Sequence, residues 1–184
     1  MSHIKINEKI KSFNKSLTIE GDKSLSIRWA LLSSQSNSKS KSYNLLLSED
    51  VISTLNCLKK LGVKVKVKKN CCEIRGVGLN GFEYKKDLTL NAGNSGTLGR
   101  LIMGLLVHSK KNIIIKGDKS LSKRDFLRVA SPLKKFGAKI STYSGKLPVK
   151  IKGTDQATPI KYKETRGSAQ CKSSVMFAAL NTYG

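Results

Sequence analysis

The string LKKLGVKV at Leu58–Val65 returns as LKKFGAKI at Leu133–Ile140, seventy-five residues later. A period of that length marks a chain built from copies of one supersecondary unit, so any fold proposed for one copy has to fit the other. In both strings an amphipathic helix ends at a glycine suited to a left-handed C-cap and runs into a strand. The first copy predicts a strand before Gly21, a helix over 24–34, a strand over 43–47 and a helix over 50–61. Two strands follow: Val63, Val65 and Val67 alternate with Lys64, Lys66 and Lys68, and 72–75 pairs back. The second copy predicts a strand over 88–91, a helix over 97–107, a strand over 112–116, a helix over 123–136 and strands near Ile140 and Val149. A third copy reaches only its first helix, over 169–180. The fold class is therefore α/β of the α+β type, with β-α-β-α-β-β units over about 15–80, 81–154 and, incomplete, 155–184. The polar, low-complexity SSQSNSKSKS at 33–42 is expected to be a flexible surface loop.

A second repetition is out of register with the first. GDKSLSIR at Gly21–Arg28 recurs as GDKSLSKR at Gly117–Arg124, ninety-six residues on and identical at seven of eight positions. The first string opens the first helix of its unit, and the second is expected to open a later helix. Three segments stand at the start of the first helix of each unit: GDKSLSIR, NAGNSGTLGR from Asn91 and RGSAQCK from Arg166. A helix N-terminus offers unpaired N–H groups and a partial positive charge, and glycine lets a ligand approach the backbone. If the units pack side by side, the three termini form a floor for anions. A helix dipole contributes about 0.3–1 kcal/mol, whereas a hydrogen bond to a charged group contributes about 1.5–3 kcal/mol, so cationic side chains should dominate. Lys23, Arg28, Arg100 and Arg124 are the cations in these strings, and Ser24, Asn94, Thr97, Ser168 and Gln170 add neutral partners. Ser24 and Ser168 also suit plain N-caps, Gly96 a packing contact and Arg100 an internal ion pair. No GxxxxGK[ST] or GxGxxG string occurs, so neither a P-loop nor a Rossmann turn is expected.

Thirty-five Lys and Arg against twelve Asp and Glu give a formal charge of +23. That balance raises a basic nucleic-acid-binding module as the alternative function. The lysines are spread along the whole chain and only 6% of residues are aromatic, which leaves few stacking platforms, so nucleic acid is not the expected partner. No apolar run approaches the ~18 residues of a membrane span, and MSHIKINEKIKSF lacks a secretory core, so a cytoplasmic location is expected. Cys57, Cys71, Cys72 and Cys171 form no CxxC pair and are expected as free thiols. His3 and His108 stand apart from any ligand cluster, so no metal site is expected.

GDKSLSIR, NAGNSGTLGR, GDKSLSKR with LRVASPLKKFGA, and SAQCKS occur in the order found in the EPSP synthase (3-phosphoshikimate 1-carboxyvinyltransferase) family, which the chain resembles from Leu17 to Leu180. The sister family that acts on UDP-N-acetylglucosamine usually has asparagine after the lysine, so Ser24 and Arg28 favour the shikimate branch. The resemblance implies the family's inverse α/β barrel-like domain, incomplete here. It implies transfer of the enolpyruvyl group of phosphoenolpyruvate to the 5-hydroxyl of shikimate-3-phosphate, with no cofactor. Lys23, Ser24, Arg28, Ser168, Ala169 and Gln170 would hold shikimate-3-phosphate. Lys23, Asn94, Gly96, Arg124 and Gln170 would hold phosphoenolpyruvate, and Lys23 is the best local candidate for a catalytic group. The acid and base of the reaction would come from a second domain or a complementary chain, to which residues 1–14 would cross. The chain departs from the family pattern at Glu20, at Asp125 and over Glu164–Gly167.

Overall fold

The computed structural model describes residues 3, 5, 7–9, 12, 14–17, 19–69, 71–84 and 87–184. The expectation for 1–14 falls largely outside them. The first unit runs α1 (Lys23–Ser33), β1 (Lys39–Tyr43), α2 (Glu49–Lys60), β2 (Lys64–Lys68) and β3 (Cys71–Arg75). The second runs β4 (Leu88–Asn91), α3 (Gly96–Leu105), β5 (Ile113–Lys116), a 3-10 turn (Leu121–Lys123), α4 (Leu127–Lys135), β6 (Lys139–Tyr143) and β7 (Lys146–Lys152). After a long loop, α5 (Ala169–Leu180) follows. β2 and β6 begin seventy-five residues apart, as do β3 and β7, so the spacing read from the sequence carries into the strands.

The two sheets have the order β1-β3-β2 and β4-β5-β7-β6. β3 runs antiparallel to both of its neighbours, and so does β7, while β4 adds to β5 in parallel. Among the described residues, the first sheet has no counterpart of β4. The strand expected before Gly21 is absent from described residues 14–17, 19 and 20, and Leu17 and Ile19 are each 75% exposed.

Apolar spacing explains which faces are buried. Val51, Leu55 and Leu58 point α2 inward, Cys171, Val175 and Ala178 do the same for α5, and Leu147, Val149 and Ile151 alternate with exposed Lys146, Pro148, Lys150 and Lys152 along β7. All ten residues of α3 are buried, the polar Thr97 and Arg100 among them. α3 lies against α5 so closely that a Cβ on Gly104 would come within 2.0 Å of the Ser174 carbonyl oxygen. Pro132 sits inside α4 and cannot donate to the Arg128 carbonyl. The Cys171 thiol donates there instead, with Sγ 3.8 Å from the oxygen. All four cysteines are free.

Two further sequence expectations need correction. The strand expected over 43–47 lies at Lys39–Tyr43, inside the segment expected to be a flexible loop. Its serines face inward opposite apolar partners, Ser40 to Ile74 and Ser42 to Cys72, while its lysines face water. Serine satisfies the period-two pattern by size, which a hydrophobicity reading misses. The chain then turns at Asn44, where φ is +56°. The helix expected over 123–136 begins only at Leu127. Arg124 is extended (φ −80°, ψ 151°), and Asp125 Oδ1 accepts the Leu127 N–H at 2.7 Å, starting the helix afresh. The second octapeptide therefore forms a single 3-10 turn rather than opening α4.

Candidate functional site

The first helices of the three units lie parallel. Near their starts, Gln170 on α5 bonds Thr97 on α3 through Nε2 at 3.1 Å, and the Arg28 guanidinium on α1 reaches Ser173 Oγ on α5 at 3.2 and 3.3 Å. Past their ends, Gln35 bonds Asn181 at 3.2 Å and His108 bonds Thr182 at 3.2 Å. All three N-termini therefore share one end of the molecule.

Each terminus is built by a side-chain cap. Asp22 Oδ1 accepts the Leu25 N–H at 2.7 Å, Ser95 Oγ accepts that of Leu98 at 3.2 Å, and Ser168 Oγ accepts that of Cys171 at 3.2 Å. The cap of α1 is Asp22, so Ser24 does not cap. Ser168 does, and its O–H remains a donor because the cap uses only a lone pair. Gly93 (φ +57°) and Gly167 (φ +66°) take the left-handed backbone that leads the chain into α3 and α5.

The cations sit in contrasting surroundings. Lys23 Nζ is 3.3 Å from Asp50 Oδ2, and its side chain remains about half exposed. Arg28 Nη1 donates to the Ser24 carbonyl at 3.1 Å. Arg100 is 4% exposed and has no carboxylate partner among the described residues. It donates to the Asp125 carbonyl at 2.8 and 3.3 Å and to Gln170 Oε1 at 2.6 Å, with its guanidinium carbon 5.1 Å from the centre of the Phe126 ring. Burial, then the neighbouring cations Arg128 and Arg124, lowers its pKa from the usual arginine value. The internal ion pair considered for Arg100 is thus replaced by neutral acceptors.

Arg124 is exposed and donates through Nη2 to Asn94 Oδ1 at 3.1 Å. Its Nη1 and the Nη1 of Arg100 would each lie 3.1 Å from a Cβ on Gly96. Gly96 is therefore the point on which two guanidiniums converge. Gln170 joins this group, its amide oriented by Arg100 on one side and Thr97 on the other. Ala169, exposed, is the first residue of α5. Asn94, Gly96, Arg100, Arg124 and Gln170 thus form one cluster, while Lys23, Ser24 and Arg28 stand at the start of α1, joined to α5 through Ser173.

Sequence reasoning missed Asp50 and Ser173, which hold Lys23 and Arg28, because no spacing rule reaches across units. It also missed Asp22 as the cap, although aspartate just before a helix is a recognised signal. The lead-in to α5 is held by Glu164, which accepts from the Tyr162 hydroxyl and from the Arg166 N–H at 2.8 Å. The Tyr162 bond, first, and the backbone bonds keep the Glu164 carboxyl below its ordinary range, while burial, then Glu164, raises the Tyr162 pKa. No cluster of His, Cys, Asp and Glu among the described residues would hold a metal ion. No described helix is long and apolar enough to cross a membrane.

The chain is similar to known proteins in sequence and in fold. The 3-phosphoshikimate 1-carboxyvinyltransferase of Ruthia magnifica subsp. Calyptogena magnifica is 45% identical over 174 residues, a match covering 94% of this chain and 40% of that protein. The protein of that name from Streptococcus suis (strain 98HAH33) is 38% identical over 183 residues, covering 98% of this chain and 43% of its own length. Among solved structures, an EPSP synthase from Acinetobacter baumannii superposes with a TM-score of 0.85 at 36% identity, over 91% of this chain and 38% of that one. The chain spans about 40% of the length of the relatives it matches. The EPSP synthase (3-phosphoshikimate 1-carboxyvinyltransferase) family matches residues 7–184, and the chain belongs to that family.

Proposed function

We propose that this chain supplies the anion-binding part of a site that transfers the enolpyruvyl group of phosphoenolpyruvate to the 5-hydroxyl of shikimate-3-phosphate. The observation that carries the reading is the shared end of three parallel helices, where Arg28, Arg100 and Arg124 gather with no carboxylate of the described residues on any guanidinium. Such a surface suits two substrates that each bear a phosphate. In this reading Lys23, Ser24, Arg28, Ser168, Ala169 and Gln170 hold shikimate-3-phosphate. Lys23, Asn94, Gly96, Arg124 and Gln170 hold phosphoenolpyruvate, with Lys23 reaching both. The substrate hydroxyl gives up its proton and adds to C2 of phosphoenolpyruvate as C3 takes a proton, and the tetrahedral adduct then loses phosphate together with a proton from C3, which restores the double bond. The residues named here bind and orient, and the proton transfers fall to groups from a second domain or a complementary chain, to which residues 1–14 cross. We place the units at about 15–80, 81–154 and 155–184 and the activity in the cytoplasm.

Calorimetry with shikimate-3-phosphate tests the reading, and saturable binding is expected. Salt-sensitive binding of nucleic acid with no heat from shikimate-3-phosphate would overturn it in favour of a basic nucleic-acid module.

A further inference from the structure

The aspartates of the twin octapeptides share one task and differ in another. Each accepts the N–H three residues on, Asp22 from Leu25 at 2.7 Å and Asp118 from Leu121 at 2.6 Å. Asp118 alone does more: its Oδ2 accepts from Asn94 Nδ2 at 2.5 Å, and Asn94 Oδ1 in turn accepts from Arg124 Nη2 at 3.1 Å. We infer that Asp118 is a positioning residue that aims Arg124 through the Asn94 amide. The inference rests on the reading of Arg124 as a phosphoenolpyruvate ligand.

The chemistry of the three groups fixes the arrangement. A carboxylate only accepts and a guanidinium only donates, so the amide between them satisfies both in one orientation alone. The Leu121 N–H, then the Asn94 amide, holds the Asp118 carboxyl below its ordinary range, as expected of a carboxylate whose charged form accepts both bonds. A carboxylate placed directly on Arg124 would also fix the side chain, but it would offset the charge and cover the fork that a ligand needs. The amide gives direction without that cost. The backbone under the relay is pinned as well: the Asp118 N–H donates to the Gly93 carbonyl at 2.8 Å, and the Ala92 N–H donates to that of Lys116 at 2.8 Å. The other end of the guanidinium then lies over Gly96, at the start of α3.

Asp118→Asn separates aiming from capping. The new side-chain oxygen still caps Leu121, but its NH2 now faces Asn94, which turns its oxygen toward position 118 and its own NH2 toward Arg124. Donor then meets donor, and Arg124 is released. Side-chain 15N relaxation on the full chain reads this without any ligand: Arg124 should gain motion in Asp118→Asn while Arg28 does not change. An Arg124 signal that does not respond would overturn the inference. Titration with phosphoenolpyruvate should show affinity about tenfold weaker in the variant, the loss of one charged contact, with shikimate-3-phosphate affinity within about twofold of the parent. Equal loss for both substrates would also overturn it, because that marks a general structural defect. A parent chain that binds no phosphoenolpyruvate would sink the functional reading and leave the relaxation result to decide the relay.

Discussion

Arg28 and Arg100 occupy similar places in their helices, yet their surroundings divide their work. Arg28 is half-buried and its bonds go to one hydroxyl and one carbonyl, both of which a phosphate can outcompete. Arg28→Ala should therefore weaken shikimate-3-phosphate binding by about 1.5–3 kcal/mol in calorimetry, and unchanged affinity would remove Arg28 from the site. Arg100 is committed to Asp125 and Gln170 and acts as a buried charge beneath the floor. At Gly96, an added methyl would press on both guanidiniums at 3.1 Å, so Gly96→Ala should weaken phosphoenolpyruvate binding more than it alters the melting temperature. A loss of stability with affinity intact would contradict that expectation. Most of these residues were legible beforehand because they lie in short glycine-rich strings whose chemistry is local. Asp50, Ser173 and Asp118 were not legible as partners, since each joins its cation only after elements from different parts of the chain have packed.

At the scale of elements, the twin octapeptides show how little separates a helix from a turn. Their one difference sets Ile27, fully buried, against Lys123, exposed, and the chains part there. Ile27 gives α1 an inward anchor at the point where it must continue. Lys123 gives none, and Asp125 two residues later starts a new helix by bonding Leu127. Local identity made the first turn legible and hid the outcome, which burial decides. The Pro132–Cys171 contact is similarly non-local. Cys171→Ala should cost about 1–3 kcal/mol in urea unfolding, because it leaves the Arg128 carbonyl unpaired, while Cys171→Ser keeps a donor and should cost less. Equal costs would assign the effect to packing alone. Past the C-terminal ends of α3 and α5, burial lowers the His108 pKa below its usual 6.5. The unfolded chain therefore binds the proton more readily, and stability should fall as pH drops below 6.5. His108→Asn should flatten that part of the pH profile of the melting temperature, and an unchanged profile would clear His108 of the effect.

On the scale of the whole molecule, the seventy-five-residue period was legible because it is written in helix ends and strand starts, which carry strong local signals. The three strands of the first sheet against four in the second, among the described residues, were not, because pairing is decided between distant segments. The proposed division of labour predicts that the isolated chain binds shikimate-3-phosphate without releasing phosphate from a mixture of both substrates. Steady-state turnover by this polypeptide alone would refute the assignment of proton transfer to groups outside it.

Among the described residues, the two outer strands of the first sheet are KSKSY and KVKVK. Each carries lysines at alternate positions along an edge that would otherwise recruit a strand from a neighbouring molecule. Part of the chain's large positive charge thus acts as a guard against aggregation. Exchanging Lys64, Lys66 and Lys68 for threonine would keep β-propensity while removing that guard, and light scattering of the concentrated protein should rise long before its melting temperature changes.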